Sequence, residues 1–315
     1  MHPRILLSIR KFITIKQKKS PLLLFAAGLF FAVLWSSAST ATKVGLQSGQ
    51  PFMIQLPRFF IAGGILLIIS HLILKQELPR GKQWKQLAIY GLLNITIYLG
   101  LYIIGMQEVS PGLGALAVAT NPVLINIISS LFLKKPIKSE AIVSLVICVG
   151  GVLMAAWPLL QQSHATPRGL TILFISMLAY SVGVLYFSGR DWGTMMNLTI
   201  NGWQTLLGGV FLLPFTLLTY KQDANHYDFN FFASVLWLAI PVSIFAVQLW
   251  LFLLKDNATK ASFWLFLCPV SGFMIANAVV HEPVGLFTII GMLLVIAGLY
   301  LVQVRAKRKA AAAAQ

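Results

Sequence analysis

Charge is what this chain has least of. Charged residues fill 10% of its 315 positions, and only eight are acidic. With 58% hydrophobic residues and a mean hydropathy of +0.82, a water-soluble domain of this length is excluded. The acids (Glu77, Glu108, Glu140, Asp191, Asp223, Asp228, Asp256 and Glu282) all fall between long apolar stretches or at their ends. The sequence therefore lacks a carboxylate at mid-membrane, which is the common proton site of a coupled pump and the natural partner of a cationic drug. Cysteine is nearly absent as well. Cys148 and Cys268 lie inside apolar stretches and read as small packing residues, with no disulfide framework and no metal-ligand spacing. No His-Glu-x-x-His helix, paired membrane aspartates or phosphate loop occurs, so an intramembrane enzyme is the weakest functional class and no cofactor is expected.

What the chain does have is apolar length. Ten stretches, near 21–42, 52–74, 84–106, 112–133, 139–158, 168–188, 197–220, 231–253, 260–280 and 283–303, are each long enough to cross a hydrocarbon core of roughly 30 Å. Uninterrupted runs of this length are helices, not alternating barrel strands. The formal charge of +16 belongs to topology rather than to nucleic acid. Apart from Lys43, Arg58, Arg168 and Lys221, the basic residues flank alternate span ends on one side. Basic residues stay cytoplasmic, so both termini are expected inside a bacterial inner (plasma) membrane. A nucleic-acid role would need one folded patch with stacking aromatics, and none is apparent. The basic, then apolar start could pass for a cleaved signal, but its apolar run is too long and the span is expected to be retained.

The chain also repeats itself. At an offset of 147, Pro122 falls on Pro269, Pro136 on Pro283 and Gly151 on Gly298. At an offset of 145, Trp35 falls on Tyr180, and Gly63 and Gly64 on Gly208 and Gly209. Five spans per copy force the second copy into the membrane upside down, which is the signature of an inverted-repeat transporter. The expected organisation is a basic segment at 1–20, a first five-helix repeat at 21–158 and a second at 168–304. A basic tail is expected at 305–315, with Ala310 to Gln315 reading either as low-complexity tail or as an engineered scar. The fold class is thus an all-α polytopic membrane protein, with ten transmembrane helices as an inverted five-plus-five repeat.

Several segments carry a family resemblance. Span one reads AVLWSSASTATKVGL and span two LPRFFIAGG; span four reads SPGLGALAVATNPVL, and its later twin NATKASFWLFLCPVSGFMIANAVVHEPV. Spans five and ten carry GGVLM and AGLYL. In order, spacing and duplication this resembles the EamA family of the drug/metabolite transporter superfamily, from Leu22 to about Val304. The resemblance implies ten helices and export or exchange of small metabolites, often amino acids. One departure stands out. Where the family has a Gly-Glu pair after span four, this chain has Lys134-Lys135-Pro136, and only His281-Glu282-Pro283 keeps the acid.

Polar side chains within spans are the candidates for touching a solute, because burying them without a partner is costly. Ser36, Thr40 and Lys43 share one face of span one, with Trp35 beside them. They read either as a polar seam with an aromatic floor or as helix-bonded small residues that permit tight packing. Asn94, Tyr98 and Tyr102 form a second stripe on span three, too deep for an interfacial belt. Tyr180 and Tyr186, Gln204, Gln248 and Trp264 occupy comparable depths, and together these residues suit a cavity that binds a carboxylate or amino group. Arg58, inside span two, either pairs bidentately with a substrate carboxylate or has a structural role, tying down helix ends or pairing with Glu108 or Glu282; the structural role is favoured. Asn121-Pro122 and Pro269 mark mid-helix kinks, and their recurrence in both halves favours a gating hinge over a static bend. Glu108 and Glu282 are candidate proton sites at the outer vestibule. The expectation is a monomeric exporter or exchanger of a neutral or zwitterionic solute such as an amino acid, working by alternating access among membrane lipids. The competing class is a membrane sensor descended from a transporter.

Overall fold

The computed structural model describes residues 20–132, 139–161, 164–253 and 264–312. Ten helical elements follow in order among them: α1 (Pro21–Leu46), α2 (Pro51–Ile73), α3 (Lys82–Gln107), α4 (Pro111–Phe132), α5 (Ser139–Gln161), α6 (Pro167–Ser188), α7 (Asn197–Thr219), α8 (Phe229–Leu253), α9 (Trp264–Val280) and α10 (Leu286–Ala312). Eight of the described helices are long and apolar enough to cross a membrane; α9 and the apolar part of α10 (Leu286–Leu301) are shorter. The chain is a multi-pass, all-helical membrane protein. In lipid each backbone N–H and C=O must find its partner within the segment, which leaves the helix as the economical choice for these runs.

Local chemistry sets the helix starts. α1, α2, α4 and α6 each begin on a proline (Pro21, Pro51, Pro111, Pro167), where a missing N–H costs nothing and the fixed φ suits the first turn. Thr166 accepts from the Gly169 N–H to cap α6, and Asp228 accepts from the Phe231 N–H to cap α8. The outer faces carry large apolar side chains such as Leu72, Phe215, Leu217 and Leu218, as a lipid-facing surface requires.

Because lipid tails are as apolar as leucine, helix pairs here depend on close approach of small residues rather than on burial of grease. α5 packs along α10, α2 along α7, α3 along α6, and α1 against α8 and α9. At the first of these seams a methyl added to Gly151 would meet the Gly291 carbonyl oxygen at 2.6 Å, and one added to Gly298 would meet that of Ser144 at 3.0 Å. At α2–α7 a methyl on Gly63 would lie 3.0 Å from the Leu206 nitrogen. Gly208 approaches α3 instead, with the Gly91 oxygen 2.8 Å from such a methyl, while Gly64 and Gly150 have open space.

Among the described residues five helices depart from regular geometry, and α2 does so in a π-helical turn over Ile68–Ile73 at its end. α3 widens into a π-helix over Leu92–Ile97, and α8 does so over Leu238–Ala246. α4 breaks at Thr120 and restarts at Asn121, so Pro122 opens its second half and is not in the middle of an unbroken helix. α9 changes from a 3-10 turn (Trp264–Phe266) to an α-helix at Leu267, two residues before Pro269. The Lys134-Lys135-Pro136 segment lies outside the described residues.

Candidate solute site

The bundle encloses a cavity with about 850 Å3 of atom-free space, counting the part open to the outside. Its wall draws on every described helix except α5 and α10. α1 supplies Trp35, Ser36, Ala38, Ser39 and Thr42; α2 supplies Arg58 and Phe59; α3 supplies Asn94, Ile95, Tyr98, Leu99 and Tyr102. Ala115 and Val118 come from α4, Tyr180 from α6, and Asn201, Gln204 and Thr205 from α7. Val242, Ser243 and Val247 of α8 and Cys268 of α9 complete it. The π-helical segments of α3 and α8 face this space, through Asn94 and Ile95 on one side and Val242 and Ser243 on the other, whereas that of α2 (Ile68–Ile73) does not line it. Widened turns of this kind recur at functional sites because they re-aim side chains and loosen the backbone ladder.

Arg58 is 6% exposed and has no carboxylate partner among the described residues. Among the described residues the ion pairs are Glu77–Arg80 and Glu108–Arg168, both elsewhere. Its Nε donates to Ser243 Oγ at 3.0 Å and its Nη1 to Gln55 Oε1 at 3.1 Å. A guanidinium held by neutral acceptors at the edge of a cavity keeps its charge available for an incoming anion. The pairings weighed for it on sequence grounds, with Glu108 or Glu282, are not made.

From Ser243 a hydrogen-bonded chain runs around the wall. Asn201 Nδ2 donates to the Ser243 carbonyl at 3.4 Å, Gln204 Nε2 to Asn201 Oδ1 at 2.9 Å, and Asn94 Nδ2 to Gln204 Oε1 at 3.1 Å. It ends at Asn94 Oδ1, which is buried and has no partner among the described residues. Tyrosines line the remaining polar wall: Tyr102 shares a 2.8 Å hydrogen bond with Ser39, and the Tyr98 ring lies 4.8 Å from that of Tyr180.

Of the residues singled out by sequence, Trp35, Ser36, Asn94, Tyr98, Tyr102, Tyr180 and Gln204 line the cavity. Ser36 also bonds back to its own helix at Ala32, so both readings of it apply. Thr40, Tyr186, Gln248 and Trp264 stand outside the lining. Thr40 is buried with its hydroxyl unpartnered, because the polar face of α1 toward the cavity runs through Ser39 and Thr42 instead. Tyr186 sits under the Arg190 guanidinium, Gln248 has a buried, unpartnered Nε2, and Trp264 packs on Phe25 and against Gly28. Asn121 is buried with Oδ1 unpartnered. Gln55, Ser39, Asn201 and Ser243 were missed. The first and third sit one helical turn from Arg58 and Gln204, and that i, i+3 spacing of polar groups was the available signal.

The other charges form a separate cluster. Lys43 Nζ donates to the carbonyls of Met106, Gln107 and Val109, closing the C-terminal end of α3. Glu108 pairs with Arg168 at 3.0 Å and accepts from Thr166. His281 ends α9 in the left-handed conformation (φ 55°), and the next residue, Glu282, turns inward to 4% exposure. Its two oxygens accept from Ser110 Oγ at 2.5 Å and from the Gly112 N–H at 2.7 Å, so it caps α4 from the far end of the chain. Burial raises the Glu282 pKa, opposed by those two hydrogen bonds and by the charges of His164 and Lys43.

Comparison with known proteins gives consistent results. Residues 21–157 and 167–304 each match the EamA-like transporter family. An uncharacterized transporter of Archaeoglobus fulgidus is 26% identical over 85% of this chain and 94% of its own length. The uncharacterized transporter YvbV of Bacillus subtilis is 26% identical over 90% and 92%, and the protein PecM of Dickeya dadantii 25% over 86% and 89%. A solved crystal structure superposes with a TM-score of 0.63 over 90% of this chain and 97% of its own, at 16% identity, which speaks to fold alone.

Proposed function

From membership of the EamA-like transporter family, to which this chain belongs, we propose that it carries a small metabolite of amino-acid size across a bacterial inner membrane by alternating access. The two family-matching halves are read as five-helix bundles inverted with respect to each other. Helix pairing supports this: exchanging each helix for the one five places along turns α3–α6 into α8–α1 and leaves α5–α10 and α2–α7 unchanged. Finer features follow the same rule. The π-helical segments of α3 and α8 begin at Leu92 and Leu238, an offset of 146, whereas that of α2 (Ile68–Ile73) has no counterpart in α7. The Gly151–Gly291 and Gly298–Ser144 approaches are related by 147.

The observation that carries the proposal is a cavity whose wall is shared between the halves, with a buried guanidinium lacking a carboxylate partner. Arg58 is assigned to the carboxylate of the solute, and Trp35, Tyr98 and Tyr180 to its remaining surface. The irregular turns of α3, α4, α8 and α9 are the places where each half can flex. No carboxylate stands among the cavity-lining residues, so exchange or downhill movement is favoured over proton-driven pumping. Liposomes reconstituted with the purified chain and loaded with labelled amino acids and their hydroxy analogues, with and without a proton gradient, provide the test. Saturable efflux is expected, falling about 10-fold in Trp35→Ala, the loss of roughly 1.4 kcal/mol of contact. Efflux no faster than from protein-free liposomes for every solute sinks the reading.

A further inference from the structure

The polar chain along the cavity wall has a direction, and the direction is imposed. A backbone carbonyl only accepts, so the Ser243 oxygen forces Asn201 to present its Nδ2. Asn201 Oδ1 must then face Gln204 Nε2, and Gln204 Oε1 must face Asn94 Nδ2. Each amide is oriented by the one before it, and the last, Asn94, is left with its acceptor free. At the other end Ser243 Oγ donates to the Leu238 carbonyl, which leaves that oxygen to accept from Arg58 Nε. One connected network from α2, α3, α7 and α8 thus ends in a donor that carries charge and in an acceptor that does not.

We propose that Asn94 Oδ1 selects the solute: it accepts a hydrogen bond from an N–H or O–H that the solute carries beside its carboxylate. This rests on the transporter reading only in taking the cavity as the solute site. A buried acceptor without a partner is costly, and a bound donor removes that cost. An amino or hydroxy acid supplies one. A keto acid of the same skeleton presents a carbonyl oxygen there, two acceptors then face each other, and it is rejected. Gln204 acts as a positioning residue, because without its Oε1 nothing holds the Asn94 amide in this orientation.

The test is thermal stabilisation of the purified protein in detergent by matched trios: alanine, lactate and pyruvate; leucine with its hydroxy and keto analogues; phenylalanine, phenyllactate and phenylpyruvate. In at least one trio the wild type should bind the amino or hydroxy member about 10- to 100-fold more tightly than the keto member. Which of the two binds better tells an ammonium donor from a hydroxyl. Gln204→Leu should raise keto-acid binding and bring that ratio close to one, since the freed Asn94 amide can turn its Nδ2 to the keto oxygen. Asn94→Leu should also erase the ratio. Equal binding of keto acids by the wild type, stabilisation by no member of any trio, or a ratio unchanged in Asn94→Leu overturns the proposal. If Gln204→Leu does not fold, the wild type and Asn94→Leu decide alone. Selective binding without flux in liposomes would overturn the transport reading and leave this one standing; flux without the selectivity would do the reverse.

Discussion

Arg58 illustrates how a side chain can be good for binding and poor for stability. A guanidinium withdrawn from water and given only neutral acceptors loses more hydration than those hydrogen bonds restore. If its task is to receive an anion, Arg58→Met should leave the melting temperature in detergent unchanged or raise stability by up to ~1 kcal/mol, while ligand-induced stabilisation disappears. A lower melting temperature with ligand binding intact would return Arg58 to the structural role that its sequence position suggested. Glu282 presents the opposite balance, a carboxylate with both oxygens satisfied. Its raised pKa means the folded chain keeps a proton that the unfolded chain has released. Folding stability therefore falls as the pH rises from the ordinary glutamate value of about 4.3 up to the raised one, and this contribution is level above both. Lys43 and His164, the charges facing it, narrow that window. The stability difference between wild type and Glu282→Gln should accordingly shrink with rising pH across this range in parallel thermal melts, and a difference independent of pH would contradict it.

At the scale of helices, the sequence made some things visible and hid others. Apolar length exposed the spans, and helical spacing put Asn94, Tyr98 and Tyr102 on one stripe, where the structure also has them lining the cavity. Stripe counting on α1 picked Thr40 and Lys43 where the cavity uses Ser39 and Thr42, a rotation by a single position that composition does not record. Lys43 looked like part of a polar path because its charge is unusual there. Its length instead lets it reach the open carbonyls at the end of α3. The π-helical segments left no trace in apolar pattern, since one extra residue in a turn changes the register only downstream. That register can be tested. Deleting Leu92, an exposed residue at the start of the α3 segment, should restore ordinary α-geometry. Because the widened turn absorbs one residue, Tyr98 and Tyr102 downstream would then keep their faces, while Asn94 within the segment would be re-aimed. The deletion variant is expected to elute as a folded protein and to lose solute-induced stabilisation; retained binding would show that the widened turn is dispensable.

For the molecule as a whole, duplication was legible because prolines and glycines recur at fixed offsets, and the family match over both halves agrees. The cavity between the halves was only partly legible. Asn201, Ser243 and Gln55 act through partners on other helices, and those pairings exist only once the bundle is assembled. Orientation follows from where basic residues accumulate, so a reporter fused after residue 304 should be active only in the cytoplasm; an active periplasmic reporter would reverse both halves.

The chain's two cysteines then become more useful than their scarcity suggests. Cys148 is sealed in the α5–α10 seam, its Sγ 3.7 Å from the Val295 carbonyl oxygen, whereas Cys268 belongs to the cavity wall. Cys268 is itself only 4% exposed here, so a maleimide of modest size should modify it only when the vestibule opens further, and bound solute should shield it. On the alternating-access proposal, in which α5 and α10 stay packed together, Cys148 should stay unmodified throughout. The native thiols would thus serve as paired sentinels for that proposal, one at the cavity and one in a closed helix seam.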